Sequence, residues 1–506
     1  MSTRSIASHP IAPSTADYTK ATNLNASSSP KICIVGGGLS GLATAIKLQN
    51  LLPNAAITLY EAAPRVGGVI HTEKCGNFLV DHGADMFATN PPHAMKLCEE
   101  LGVTERLCEP SMEGRGAKIV CNGKLVPLPE GFVLMRATQL IPMLQTPLLS
   151  VLGKLRFLFE RWIPRKKKNL DALDDESISS FVTRRMGREM LDRLVAPLTA
   201  GIYTADVSKL SMLATMAPIA KMESEYGSLA KATSARRKRG QDSVERNSAG
   251  ARYSQFRAFK GGMIDLINAI VTNLSEGSIN LETEVKSIQP KTGGGWEISL
   301  ADQVVPYDEV ILATPPHITA KLLADHDSNA AELMGRIEAS SAAIVILGVH
   351  RSQIKAPANC FGFVVPLNEN RQILACSFAS TKFAGRAPED QTLIRVFVGG
   401  AMQPELLEKS DEALIELTRQ ELSELIGLEG EPELKQVVRW NDAMPQYHVG
   451  HLERVKLLEA RIEKIEGLSI VSNALHGVGI SPLIGQAEDV ASSLAKRYSD
   501  SSNSSR

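Results

Sequence analysis

Three separated stretches of the chain repeat one texture: a short β-branched run, a glycine-rich turn, then an apolar helical pattern. The first is KICIVGGGLSGLATAIKLQNLL, Lys31 to Leu52. It continues through AAITLYEA, Ala55 to Ala62, a second strand that ends on an acid. The second stretch, FKGGMIDLINAIVTNL and INLETEVKSIQ, leads into GGGWEISLADQVVPYDEVILATPP, which alternates like a hairpin and closes on a buried strand, Val310 to Ala313. The third, LSIVSNALHGVGISPLIGQAEDVASSLAKRY, is again strand, glycine loop and helix. Such returns predict an α/β class protein whose Rossmann-like nucleotide-binding domain is discontinuous, drawn from residues 30–92, 254–319 and 466–500.

The material between these pieces has a different pattern on each side. Residues 93–227 read as a helical insertion, with PPHAMKLCEELG and SISSFVTRRMGREMLDRLV as amphipathic pieces. Residues 320–465 carry the β-rich runs ASSAAIVILGVHRS, RQILACSFAS and TLIRVFVGG and predict an α+β substrate domain. Residues 228–253 are polar, with the basic cluster Arg236, Arg237, Lys238 and Arg239, and predict a mobile solvated loop. The tail, residues 1–29, is rich in Ser, Thr, Ala and Pro without the apolar run of a secretory signal, and predicts disorder.

No stretch has the roughly 18 uninterrupted apolar residues of a spanning helix. Phe132 to Pro164 is apolar but broken by Pro142 and Pro147, and Arg165, Lys166, Lys167 and Lys168 follow it. With Trp162 at its edge, this stretch either packs on the core or lies in an anionic leaflet at the inner face of a cell membrane, presenting Leu149 and Leu155.

Across the 506 residues, 43% are apolar and 22% charged, with a formal net charge of −1, which excludes a disordered chain and disfavours a dedicated nucleic-acid binder. Seven cysteines, an odd number with no CxxC pair, read as reduced thiols of a cytoplasmic-type compartment, with no disulfide frame and no metal site. Gly36, Gly38 and Gly41 form G-x-G-x-x-G between a strand and a helix. A tight turn there brings the bare N–H groups of Gly36, Gly37, Gly38, Leu39 and Ser40 toward a pyrophosphate at the positive end of the helix dipole. Glu61 follows Gly41 by 20 residues, the spacing at which an acid reaches a ribose hydroxyl and repels a 2′-phosphate. NAD and FAD both satisfy these terms.

The next residues separate them by resemblance. Glu61, Ala62, Arg65, Gly67, Gly68 and Val69 lie in EAAPRVGGVIHT, which resembles the second dinucleotide signature of the flavin amine oxidase superfamily and implies FAD. VDHGADMF, with Gly83, Ala84, Asp85 and Met86, resembles that superfamily's loop along the isoalloxazine. APLTAGIYTADVSKLSM, FKGGM with LETEVKSIQ, RWNDAMPQYHVGH and HGVGISPLIG resemble, in order, strings of the protoporphyrinogen oxidase family, including the branch that acts on coproporphyrinogen III. The likeness spans about residues 31 to 495. It implies flavin contacts at Val285, Trp440, Val478, Gly479 and Ile480, and a substrate wall at Gly201, Val364 and Phe383.

Departures from the family pattern accompany the matches. Val69 stands where amine oxidases carry Arg, Pro482 and Ala487 replace an expected Asp and Gly, and Ala117 falls near the carboxylate-binding arginine of plant enzymes. Lys118 or Arg115 could take over that arginine's part.

The resemblance implies oxidation of a porphyrinogen in successive two-electron steps, with oxygen as acceptor. An apolar macrocycle with carboxylate arms calls for an apolar, aromatic pocket with a few cations. Two other readings stay open: a flavin enzyme of the same fold acting on an amine or isoprenoid, and a flavoprotein-like module without turnover. Self-association as a homodimer is open too. No catalytic acid or base is nominated, since His71, His82, His448, His451 and His476 read as structural hydrogen-bonding residues.

Overall fold

A computed structural model describes residues 29–133, 135–166, 174–240, 255–356 and 359–504. The glycine-flanked strands assemble into a five-stranded parallel sheet in the order Ile279–Asn280, Ala56–Tyr60, Lys31–Val35, Glu309–Leu312 and Leu468–Ile470. Both faces of this sheet are covered, which is why its central strands are largely apolar. Along Lys31–Val35, Ile32 and Ile34 enter the cluster shared with the helices Leu39–Leu51, Ile264–Asn273 and Ile480–Ser504. Cys33 and Val35 point the other way, into a cluster with Trp296, Tyr307 and Leu323. Trp296 and Tyr307 belong to a three-stranded antiparallel sheet, Ser287–Pro290, Trp296–Ser299 and Val304–Tyr307, formed where the sequence alternates.

A second sheet of seven strands runs Leu434–Pro445, Ala339–His350, Gln391–Gly399, Ala375–Phe378, Gly362–Val364, Ala117–Cys121 and Lys124–Pro127. Its pairs are antiparallel except Gly362–Val364 against Ala117–Cys121. Along Ala339–His350, Ala343, Val345, Leu347 and Val349 fill one core while Ile344 and Ile346 fill another. Strand alternation therefore separates two apolar faces here too.

Two expectations are corrected. Residues 93–227 are not purely helical, because 117–121 and 124–127 form the outer hairpin of the second sheet. Its turn is Asn122-Gly123, with φ of 50° and 72°, the Asn-Gly pair that suits a two-residue hairpin turn. The basic segment beginning at 228 is not a loop throughout, since Leu229–Lys238 is a helix. Ser228 Oγ accepts from Lys231 N at 3.0 Å to cap it, and Leu229 and Ala232 are buried. Residues 241–253 and most of the N-terminal tail, 1–28, lie outside the described residues.

The apolar stretch from Phe132 contains the helices Ile141–Gln145 and Val151–Leu158 and the turn Phe159–Trp162. Ser150 Oγ caps the second helix by accepting from Gly153 N at 3.1 Å and donates to Glu189 Oε2 at 2.7 Å. Gly153 packs so close to Glu189 that an added Cβ would lie 2.1 Å from its oxygen. The inner side of this helix is thus fixed, and its outer side is apolar and uncovered: Leu152 is 77% exposed, Val151 73% and Trp162 70%, with Leu155 and Phe159 beside them. Leu149, expected on the outer side, is 3% exposed and belongs to the core. Among the described residues no helix is long and apolar enough to cross a membrane.

Candidate active site

The first glycine loop is built by close approach. Gly36 has φ of +108°, and a Cβ there would lie 2.7 Å from Ala313 O. A Cβ on Gly41 would lie 1.9 Å from Gly36 O. These two glycines let the helix Leu39–Leu51 start directly against the strand. Gly38 differs, because an added Cβ meets no protein atom within 4 Å. It is the N-cap of a helix with no side-chain cap and no acid in its first turn, so the positive end of the helix stays open.

The second glycine loop locks onto the first. Gly67 N donates to Gly37 O at 2.8 Å, and Gly38 and Gly67 form a β-bridge. Arg65 donates to Val66 O at 3.2 Å and Gly68 O at 2.9 Å, holding the loop from outside. Glu61 accepts from Gly37 N at 2.6 Å through Oε2 and from Ala63 N at 2.8 Å through Oε1. Gly83 brings in the third segment, since a Cβ there would lie 2.1 Å from Val69 O.

These segments open onto a cavity of about 900 Å³. One end is lined by Gly38, Leu39, Ser40, Glu61, Gly67, Gly68, Val69, Gly83, Ala84, Asp85, Met86, Trp440, Val478 and Ile480. The other end is walled by Leu198, Gly201, Ile202, Phe361, Phe363, Val364 and Phe397. Gly201 sits against Val364, 3.3 Å separating its would-be Cβ from Val364 Cγ1. Trp440 is held in place by its Nε1–H, which donates to His82 O at 2.8 Å.

Several predicted residues stand outside the lining. Gly36, Gly37, Gly41, Ala62 and Arg65 shape the loops from behind. Gly479 lies between two lining residues, its would-be Cβ 3.4 Å from Pro482 Cδ. Val285 is buried on the far face of the sheet, in a segment whose Thr283 N donates to Glu61 O at 2.9 Å. Phe383 is not among the lining residues: it is 1% exposed and packs behind the lining residue Lys382, with Lys382 Nζ at 5.8 Å and the Arg386 guanidinium at 5.7 Å from its ring. Arg115 donates to Ser111 O and Pro110 O, and neither it nor Lys118 lines the cavity, although Ala117 does.

Two cations that the sequence reading missed do line it. Lys382 Nζ donates to Asp85 Oδ2 at 2.8 Å, and Arg395 Nη1 lies 3.1 Å from the same oxygen while its Nη2 donates to Gly83 O. Burial alone would push the Asp85 carboxyl up. Lys382 and Arg395 outweigh it and bring the pKa down to about 2. A charged residue inside the β-branched run TLIRVFVGG was the available signal for Arg395, since a strand core tolerates one only with a partner. None of His71, His82, His448, His451 and His476 lines the cavity. His451 stacks on Tyr447 at 4.0 Å and its Nε2 lies 3.0 Å from Leu475 O, while His476 Nε2 pairs with Glu459.

Residues 39–480 match the family model of flavin-containing amine oxidoreductases. The chain belongs to that family. Among curated relatives, the coproporphyrinogen III oxidase of Bacillus subtilis (strain 168) is 31% identical, covering 91% of this chain and 97% of the relative. The Arabidopsis thaliana protoporphyrinogen oxidase 2 is 28% identical, covering 91% and 93%. A crystal structure from Exiguobacterium sp. 255-15 superposes with a TM-score of 0.82 at 27% identity, covering 93% of this chain and 99% of that one. The cofactor of this flavin oxidoreductase is FAD, and the cradle fits it: an uncapped helix start, room beside Gly38, and an acid one strand away.

Gly38→Val puts a branched side chain into the space a pyrophosphate needs, and the purified variant is expected to carry little or no flavin by its absorption spectrum. Glu61→Ala should retain part of it. Full occupancy in soluble Gly38→Val protein would remove the pyrophosphate assignment.

Asp85→Asn leaves Lys382 and Arg395 buried without their counter-charge, a loss of about 3–5 kcal/mol that thermal unfolding would read. In the wild type the carboxylate's contribution is complete above the ordinary Asp pKa and is lost as pH falls toward 2. An unchanged melting temperature at neutral pH would show that the three charges are not coupled.

Proposed function

We propose that the chain oxidises a porphyrinogen, coproporphyrinogen III or protoporphyrinogen IX, to the porphyrin in heme biosynthesis, with oxygen taking the electrons. The observation that carries this reading is the single cavity that joins the flavin cradle to an apolar, aromatic wall of the second sheet. The two named relatives act on these substrates by their names, and the more similar one favours offering coproporphyrinogen III first. Bound FAD supplies a two-electron hydride acceptor.

The chain's own residues supply position and environment. Leu198, Ile202, Phe361, Val364 and Phe397 exclude water and hold a flexible, largely apolar macrocycle. Gly201 is a narrow point, where any side chain would press on Val364. Asp85, Lys382 and Arg395 fix the charge of the cavity before any ligand enters, so no ion has to reorganise during transfer. Among the described residues no histidine lines the cavity; its titratable lining side chains include Glu61, Asp85, Lys382 and Asp442.

Purified yellow protein given colourless coproporphyrinogen III or protoporphyrinogen IX should generate porphyrin fluorescence with matching oxygen uptake, and Gly201→Leu should raise KM without altering the flavin spectrum. Turnover of an amine or isoprenoid with neither porphyrinogen consumed would overturn the reading in favour of another flavin oxidoreductase.

The same proposal places the protein in the cytoplasm with peripheral contact at the inner face of the membrane. Val151, Leu152, Leu155, Phe159 and Trp162 form the uncovered apolar side, and Arg161 and Arg165 are exposed beside it. An apolar strip with basic neighbours suits an anionic leaflet. The protein is expected to co-sediment with anionic phospholipid vesicles at low salt and to be partly released by salt. Leu152→Asp with Trp162→Asp should cut binding several-fold while flavin content stays the same. Absence of sedimentation at low ionic strength would end the membrane reading and leave the enzymatic one in place.

A further inference from the structure

Outside the cavity, metal-ligating side chains converge at the open end of the hairpin formed by Thr72–Cys75 and Phe78–Asp81. The register pairs Thr72 with Asp81 and Glu73 with Val80. It extends one step outward, because His82 N donates to His71 O at 2.9 Å. His71 and His82 are therefore opposite each other, and directly opposed side chains share a face of an antiparallel pair. Glu73 is two residues from His71 and joins that face by the strand's period of two.

The three side chains meet. One ligand atom from each lies within 4.8 Å of the others, and His82 Nε2 is 3.3 Å from Glu73 Oε2. The two imidazole rings stand edge to face with centroids 4.8 Å apart. His71 Nδ1 and His82 Nε2 are both buried without a hydrogen-bond partner. Two such ring nitrogens converging on one carboxylate call for a shared occupant. Among the described residues, no other group of three or more His, Cys, Asp and Glu side chains converges in this way.

We infer that His71, Glu73 and His82 form a binding site for a divalent first-row transition metal, with two imidazole nitrogens and one carboxylate oxygen as protein ligands and solvent completing the shell. The mixed N and O donors suit zinc, nickel or copper and not magnesium or calcium, which take oxygen shells. Tetrahedral zinc with bonds of about 2.0–2.1 Å sets its ligands roughly 3.4 Å apart. The His82–Glu73 pair already has that spacing, and a ligand atom of His71 lies within 4.8 Å of both.

Surrounding groups are consistent with this site. Arg65 is committed to Val66 O and Gly68 O, and Arg395 to Asp85 and Gly83 O. Gln436 Nε2, 3.3 Å from Glu73 Oε2, orients the carboxylate from the neighbouring strand. His71 follows Val69 and Ile70, and His82 precedes Gly83 to Met86, all of which line the cavity. A metal bridging the two histidines would clamp these cavity segments together from behind.

The test uses the full-length, flavin-loaded protein, stripped with a chelator, exposed to Zn²⁺ and desalted. About one zinc per chain should be retained by elemental analysis, and zinc should raise the melting temperature. His71→Ala and Glu73→Gln should each weaken Zn²⁺ affinity, measured by calorimetry, tenfold or more, and His350→Ala, an exposed histidine elsewhere, should leave it unchanged. Mg²⁺ should not bind. No retained zinc, equal retention in wild type and His71→Ala, or Mg²⁺ binding as tight as Zn²⁺ would overturn the site. Should His71→Ala fail to load flavin, the exposed Glu73→Gln variant decides alone.

Discussion

The structure turns on how closely the first helix approaches the first strand. At Gly41 a single added carbon would sit 1.9 Å from Gly36 O, and at Gly36 it would sit 2.7 Å from Ala313 O. Because neither position carries one, the helix begins at the carboxyl end of the sheet with its N–H groups uncapped and facing the cavity. Everything beyond is referenced to that corner. The Gly67 loop hangs from it through Gly37 O, the Gly83 segment packs on Val69, and Trp440 is tied to His82 O, next to Gly83.

A second constraint joins the two sheets. Asp85 comes from the segment that follows the hairpin, Lys382 from the short helix Ala379–Lys382, and Arg395 from the strand Gln391–Gly399. Removing Asp85 leaves two buried cations without a counter-charge, which makes its pairing costly to break and therefore a strict positional lock. Two cations against one carboxylate also leave a positive excess beside the cavity. That excess favours negative charge there, and it comes from groups that are already paired and immobile.

Much of this was legible in the sequence, for identifiable reasons. The glycines of the cradle, Glu61 and the parallel strands follow from hard steric and periodic rules, and such rules leave local marks. The hairpin at Asn122-Gly123 was missed although Asn-Gly between alternating residues is a strong turn signal, because the amphipathic helical pieces elsewhere in 93–227 set the reading of the whole segment. Phe383, Leu149 and the helix Leu229–Lys238 were not legible. Whether an apolar side chain faces a cavity, a core or solvent depends on which neighbour arrives from far along the chain. Phe383 is enclosed by Lys382 and Arg386, and Leu149 by a cluster that includes Met190 and Leu194. A basic run in a polar stretch looks like a loop until Ser228 caps it and Leu229 finds the core.

The discontinuity of the chain explains why cofactor and substrate halves differ in legibility. A parallel sheet needs a crossover between successive strands, and here the crossovers have grown to hold the seven-stranded sheet and the helices around Gly201. The glycine loops of the cradle all lie within residues 36–86, so most of its geometry is written in motifs close together in the chain. The opposite wall is made where residues 198–202, from the crossover between Tyr60 and Ile279, meet strands at 362–364 and 391–399, both from the crossover between Leu312 and Leu468. Its shape is a tertiary property. A change in any one of those segments moves the wall without touching the helix start at Gly38. The family can therefore keep one cofactor geometry while the far end of the cavity is rebuilt, and in this chain the far end is set by Gly201 against Val364 and by the aromatic side chains around them.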